Sequence, residues 1–340
     1  MTTSFDAAAA AEKLKSFLGD KSCILISTHR NPDGDGLGSE IALAEYLKQI
    51  SIEPIIINPD PTPQIYEFLD PNQEIRIYSK DAFDALEQRL DGVILVDVNE
   101  THRLDDLGKR LQDLQLPIAV IDHHPNGNTE AVCAILDAAA ASTGEILFEL
   151  LVAADATISL PMAEALYTCI LTDTGAFRFN NTTPRTHRIA ARLLEIGVRA
   201  RDIYSTIYES YSKQRAWLKG ELLAGLRYEL DDRLCWFVLS REILNKTGAT
   251  LQDAEGFAEL PNIIRSVEMS LLFTETEDGV TKVGFRSKGR VPVRPLAEQY
   301  GGGGHLYASG AVLPMRLDEA IRILVPKAVS FLQKHLEGSD

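Results

Sequence analysis

Three short apolar runs in the first 125 residues each end abruptly in acid or imidazole. CILIST leads into His29, GVILV into Asp97, and PIAVI into Asp122-His123-His124. Runs of this length rich in Val and Ile read as buried strands, here Cys23–Thr28, Gly92–Val98 and Pro117–Asp122, with a fourth at Pro54–Asn58. Helical periodicity fills the intervals at Gly38–Ile50, Asp81–Leu90 and Leu104–Leu114. Strand and helix in alternation predict a parallel sheet with helices on both faces. In such a sheet every strand points the same way, so groups that follow the strands gather at one edge. That edge is where open α/β sheets bind ligands.

The rest of the chain continues the pattern and then departs from it. Ser142 and Thr143 offer a cap for a helix running to Val152, and another helix spans Met162–Leu171. From Thr186 to Leu226 the texture is helical, with a break at Gly197. Beyond it, strands are expected at Leu234–Ser240, Ser270–Thr276, Thr281–Arg286 and Ala308–Leu313, with a hairpin turn at Glu277-Asp278-Gly279. At 340 residues the chain exceeds one ordinary hydrophobic core. The expected layout is therefore an α/β fold in three parts. Residues 1–190 form the metal-binding domain with a parallel sheet, 191–226 a helical linker, and 227–340 a smaller mixed α/β domain.

Composition narrows the partners. A net charge of −15 lacks the basic footprint that tight binding to long nucleic acid, long duplex DNA included, demands, and leaves room for a small anionic ligand. No apolar run approaches the length of a membrane span, and the first twenty residues mix charge into an Ala-rich amphipathic helix rather than a signal sequence. The four cysteines have no paired spacing, and a cytoplasmic setting is expected.

The segment His29–Ser39, HRNPDGDGLGS, places His29, Asp33 and Asp35 within seven residues, with Gly34, Gly36 and Gly38 expected to fold a tight loop before a helix begins. One imidazole and two carboxylates suit a divalent metal. Read alone, the segment is equally an Asp-rich turn bonding its own amides. Asp97 alone reads as a strand-end cap, and Asp173-Thr174-Gly175 as a helix end. Adjacent histidines are harder to dismiss, since the chain has only seven. These signals follow three successive strands and one helix, and a metal cluster accounts for them jointly.

With these motifs in view, the chain resembles the DHH phosphoesterase superfamily over nearly its whole length. HRNPDGDGLGS, VDV, IDHH and TDTGAF match the four N-terminal motifs in order, and GGGGHLYASG matches the glycine-rich signature of the associated C-terminal domain. Asn58-Pro59-Asp60, Tyr66 and Phe68–Leu69 fit the branch of nanoRNases and 3'-phosphoadenosine 5'-phosphate phosphatases. The resemblance implies two divalent ions, Mn²⁺ preferred with Mg²⁺ or Co²⁺ as substitutes. His29 and Asp33 would bind one, Asp35, His123 and Asp173 the other, with Asp97 bridging both. It implies His124 beside the scissile phosphate and Asp122 orienting the histidines. It also implies substrate contacts from Arg286, His305 and the glycines Gly302, Gly303 and Gly304. Arg286 lies in a run, Lys282 to Arg294, that carries five basic and no acidic residues. Leu306-Tyr307 depart from the polar residues usual after that histidine.

The activity implied is hydrolysis of short oligoribonucleotides to mononucleotides, and of 3'-phosphoadenosine 5'-phosphate to AMP. A phosphodiesterase for cyclic or linear dinucleotides would use the same ligands. A non-catalytic nucleotide sensor would be marked by lost ligands, and all six are present. A homodimer is compatible with all of these.

Overall fold

The computed structural model describes residues 5–124, 131–276 and 279–337. The chain divides into two compact units, Met1–Ser210 and Tyr211–Asp340.

Unit one runs α1 (Ala7–Leu18), β1 (Cys23–Ser27), α2 (Gly34–Gln49), β2 (Glu53–Asn58), β3 (Ile75–Ile77), α3 (Lys80–Asp84), β4 (Gly92–Val96), α4 (Asp105–Leu114), β5 (Ile118–Asp122), β6 (Cys133–Leu136), α5 (Thr143–Ala153), α6 (Leu160–Asp173), α7 (Pro184–Ile196) and α8 (Ala200–Tyr208). Its six strands are ordered β3-β2-β1-β4-β5-β6, with every neighbouring pair parallel. The alternation of side chains along each strand splits the core in two. Ile24, Ile26, Ile56, Ile94, Val96 and Ile121 face one way, into a core shared with α1, α2 and α5 to α8. Leu25, Ile55, Ile57, Val93, Leu95 and Val120 face the other, packing with Phe83, Leu104, Leu107 and Leu111. The expected sheet with helices on both faces is what forms.

The strand order reverses between β1 and β4. Chain connections leave a doubly wound sheet in opposite directions at that point, opening a crevice at the carboxyl ends. His29, Asp97 and the Asp122–His124 run all follow strands at or next to it.

Several elements depart from the sequence expectation. The glycine-rich stretch is not a loop before a helix: α2 starts at Gly34 with Asp33 as its cap. The helix expected over Asp81–Leu90 is only the five-residue α3 followed by a 3₁₀ turn at Glu87–Arg89. The three-residue edge strand β3 has no apolar run to mark it, whereas β6 lies within the apolar run Ala131–Leu136, a strand signal to which the sequence reading assigns no strand.

Unit two consists of α9 (Lys213–Ala224), β7 (Arg227–Glu229), β8 (Leu234–Leu239), α10 (Arg241–Thr247), β9 (Met269–Glu275), β10 (Thr281–Ser287), α11 (Arg294–Glu298), β11 (Gly303–Gly304), β12 (Ala308–Leu313) and α12 (Leu317–Glu337). The sheet order is β11-β12-β10-β9-β8-β7, mixed in direction, since β8 and β9 are parallel and the other pairs antiparallel. α11 and α12 cover one face, while α9 and the 3₁₀ segment Phe257–Ile263 cover the other. The helical stretch from Thr186 to Leu226 breaks twice, at Gly197–Arg199 and again at Glu209–Ser212. Ile189, Leu193, Ile203 and Ile207 join the core of unit one, and Leu218 and Leu222 a core of unit two. The turn expected at Glu277-Asp278-Gly279 lies largely outside the described residues. Among the described residues, no helix is long and apolar enough to cross a membrane.

Candidate metal centre

β1 delivers His29 to the crevice, and the bond it makes there fixes its chemistry. Its Nδ1 donates to the Arg30 carbonyl at 2.8 Å, so Nε2 is the nitrogen turned to the carboxylates and the one a cation would take in place of its proton. That Nε2 lies 3.3 Å from an Asp97 oxygen and 4.0 Å from one of Asp33. Asp33 uses its other oxygen to cap α2, accepting from the amides of Asp35 and Gly36 at 3.0 and 3.1 Å. Its turn role and its ligand role are thus filled by different atoms.

Asp35 is fully buried in the first turn of α2. Its two oxygens accept from the Thr143 and Gly144 amides, at 2.7 and 3.0 Å, so the carboxylate sits on the N-terminus of α5. Asp97 takes the left-handed conformation, with a φ of 57°, immediately after β4, and accepts from the Thr143 hydroxyl at 3.2 Å. His123 Nε2 is 3.2 Å from Asp173, 3.5 Å from Asp97 and 3.7 Å from Asp35. Asp173 is the last residue of α6, its carbonyl held by the Asn181 amide at 3.0 Å.

Six side chains from four separated segments therefore converge. Their ligand atoms form two compact groups, His29 with Asp33 and Asp97, and Asp35 with His123 and Asp173, while Asp97 and His123 also group with Asp122 and His124. Asp97 touches both through the two edges of its carboxylate. Asp122, fully buried, binds His124 twice, through the backbone amide at 3.1 Å and through Nδ1 at 2.7 Å. The histidine that Asp122 orients is His124; His123 is aimed by the carboxylates.

Electrostatics test whether cations fit. Among the described residues, the ion-pair partners of Asp33, Asp35, Asp97 and Asp173 are all histidines, with no Lys or Arg. Burial first, then the charges of Asp97 and Asp173, push Asp33 up to about 6 and raise Asp35 well above the carboxylate range. Burial also raises Asp173. Burial would raise Asp97 too, but hydrogen bonds from His123 and His29 hold it below its usual value. Burial would lower both imidazoles, yet bonds to Asp173 and Asp97 push His123 up to about 12, and Asp97 pushes His29 up to about 9. Protons are standing in for missing positive charge. One further buried oxygen, Asp122 Oδ2, has no hydrogen-bond partner. Oxygen-rich donors with two imidazoles and an uncompensated charge fit two divalent cations, which would displace those protons.

The C-terminal residues form a separate constellation in unit two. Arg286 is held by the carbonyls of Phe285 and Ser309 at 3.0 and 3.3 Å, while its buried Nε has no hydrogen-bond partner. Burial lowers its pKa, with Glu259 at 3.9 Å opposing. The Ser309 hydroxyl donates to the His305 carbonyl at 2.7 Å, which brings the His305 turn beside Arg286. The glycine-rich stretch is tied into the sheet and the preceding helix. Gly301 and Gly302 donate to the carbonyls of Glu298 and Ala297, and Gly303–Gly304 pair with β12. A Cβ on Gly302 would meet Ala311 Cβ at 2.7 Å, so close strand approach explains that glycine. The rest of the basic run disperses: Lys288 reaches the Ile264 carbonyl, Arg290 pairs with Glu268, and Arg294 with Glu298.

Sequence reading missed the groups that hold the ligands in place. Thr143 and Gly144 carried a signal, the STGE cap, but were read only as a helix start. Asn58, whose side chain bonds the Thr28 amide and Glu40, carried a signal in Asn58-Pro59-Asp60 but no indication of that role, and Glu40 carried none.

Residues 23–172 match the DHH family, N-terminal domain, and residues 237–333 the DHHA1 domain. A bifunctional oligoribonuclease and PAP phosphatase, NrnA, of Thermus thermophilus is 31% identical over 91% of this chain and 89% of its own length. The enzyme of the same name from Bacillus subtilis is 29% identical over 88% of this chain and 92% of its own. The crystal structure of an exopolyphosphatase-related protein from Bacteroides fragilis superposes with a TM-score of 0.89 and 28% identity, covering 99% of this chain and 98% of that one. RecJ of Thermus thermophilus in complex with Mn²⁺ shares the fold, with a TM-score of 0.54 and 14% identity over 99% of this chain and 56% of that one.

Proposed function

Since the chain belongs to the DHH family, we propose that it hydrolyses short oligoribonucleotides to mononucleotides and 3'-phosphoadenosine 5'-phosphate to AMP, using two divalent ions, Mn²⁺ foremost. The observation that carries this reading is the convergence of six ligand side chains in two groups sharing Asp97. Full-length relatives that are oligoribonucleases and PAP phosphatases support the substrate class. The setting proposed is cytoplasmic, in keeping with four buried cysteines that form no disulfide.

In this reading His29, Asp33 and Asp97 hold one ion, and Asp35, His123 and Asp173 the other, with Asp97 common to both. Bound divalent ions supply activation of water and stabilisation of charge on the phosphoryl oxygens. The protein's own groups do the rest. Thr143 and Gly144 fix Asp35 and Asp97 so that neither carboxylate rotates away. Asp122 accepts from His124 Nδ1 and so orients the ring; in the imidazolium form the second N–H, on Nε2, would donate a proton or hydrogen bond toward the leaving oxygen. In unit two, Arg286 offers a guanidinium to a substrate phosphate, and the Gly302–Gly304 strand shapes the turn that presents His305.

The test is Mn²⁺-dependent release of mononucleotides from RNA dinucleotides and of phosphate from 3'-phosphoadenosine 5'-phosphate. Asp97→Asn is expected to reduce both to background. His124→Ala is expected to lower kcat by about 10²–10⁴-fold while Mn²⁺ still binds. Arg286→Ala is expected to raise KM by about tenfold or more with a smaller effect on kcat. Nucleotide binding without turnover by the Mn²⁺-loaded chain would instead identify a sensor.

A further inference from the structure

Only part of the basic run in unit two serves Arg286. Along β10, Phe285 points into the core beneath α12, and Arg286, the next residue, faces Glu259 on the opposite side of the sheet. Arg290 instead lines an open cavity of about 710 Å³ where β8 and β9 begin and α12 ends, together with Arg233 and Arg265. These three arginines come from three separate segments. Arg233 leaves a turn in which Leu230, Asp231 and Asp232 all have positive φ, and its carbonyl is clamped by the Glu268 amide at 2.8 Å. Arg290 is paired with Glu268 at 3.3 Å. Among the described residues, neither Arg233 nor Arg265 is in an ion pair. Asp231 is the other acidic residue on the wall, and the apolar part is Ile264, Val291 and Leu336.

Charge, size and lining together select a ligand class. Three guanidiniums against the two carboxylates Asp231 and Glu268, with Arg233 and Arg265 in no ion pair among the described residues, mark a local reversal of the field in a chain of net charge −15. Guanidinium is the side chain best shaped to grip phosphate oxygens in pairs. The volume lies in the range of small-molecule sites, well above what a bare phosphate fills, and the apolar wall suits a nucleoside. We infer that this cavity binds a nucleoside monophosphate, with the phosphate on Arg233 and Arg265 and the nucleoside against Ile264, Val291 and Leu336. The site requires no metal, and its occupancy is independent of hydrolysis.

The experiment titrates AMP calorimetrically into the full chain carrying Arg286→Ala, with chelator present so that the metal centre contributes nothing. The expected result is saturable binding that weakens about tenfold or more when Arg233→Ala and Arg265→Ala are added, and is only partly restored by Lys at both positions, which keeps the charge and loses the paired grip. Both arginines are exposed, so the thermal transition is expected to stay unchanged by these substitutions. Inorganic phosphate is expected to bind more weakly than AMP, and adenosine not to bind. Absence of AMP binding to the Arg286→Ala chain, or equal affinity with and without the two arginines, overturns the inference. Phosphate binding as tightly as AMP removes the nucleoside half of it.

Discussion

Asn58 illustrates how much of the centre rests on residues that never face it. Its Oδ1 accepts from the Thr28 amide at 3.2 Å, and its Nδ2 donates to Glu40 at 2.9 Å, all in fully buried surroundings immediately before His29. Glu40 has a second oxygen with no hydrogen-bond partner, and burial, outweighing the bond from Asn58, pushes it up to about 8. The folded state thus favours the protonated acid more than the unfolded chain does. Its contribution is fully present below the ordinary glutamate value of 4.5 and is lost as pH rises through about 8. Glu40→Gln keeps the acceptor for Asn58 and removes the ionisation. We expect the variant to melt higher than the parent at pH 9, by a few kcal/mol of stability, and the two curves to converge toward pH 5. A constant difference between them across that range would show that Glu40 is ionised in the fold.

At the scale of elements, the decisive contact is α2 against α6. Asp35 and Asp173 are carried on these two helices, so their separation sets the distance between ligands. The helices approach through glycine. A Cβ on Gly34 would lie 2.5 Å from Thr172 Cγ2, and one on Gly38 would lie 2.5 Å from the Ala165 carbonyl and 2.6 Å from Cys169 Sγ. The obstacle at Gly38 is backbone, which cannot rotate aside. Gly38→Ala is expected to destabilise by about 1–3 kcal/mol despite its better helix propensity, and to weaken Mn²⁺ binding by forcing α2 and α6 apart. Chemical denaturation and metal titration of the same variant check both. Unchanged stability would mean that the helices part without cost. The same contacts explain why an expected loop is a helix: the glycines are there for close packing, and only Asp33 needs the extended conformation of a cap.

For the whole molecule, each unit has its own cores, and all six proposed ligands belong to the first. Divalent ions should therefore stabilise one unit directly through their binding free energy. Hydrogen exchange with and without Mn²⁺ is expected to show added protection at residues 28–36, 97–99, 122–124 and 143–144, the segments that meet at the centre. Residues 211–340 are expected to change little. Protection confined to unit two would contradict the ligand assignment.

The sequence by itself determined the class of fold and the identity of the chemical groups. Strand-length apolar runs ending in Asp and His can be read without coordinates, because a buried strand announces itself by composition and a polar residue at its end has one place to go. The edge strand β3 is too short to carry such a signal, β6 sits in a legible apolar run, Ala131–Leu136, that went unassigned, and α3 failed because periodicity cannot foresee where a short helix loses its packing partner. Only the tertiary structure decided which carboxylate oxygen caps a helix and which is left for a ligand, that Thr143 and Gly144 secure Asp35, and that Arg286 faces Glu259 while Arg290 lines a separate cavity with Arg233 and Arg265. Those outcomes depend on contacts between residues as many as 109 positions apart, and the angles and separations of packed elements are properties of the assembled core that no local stretch of chain contains.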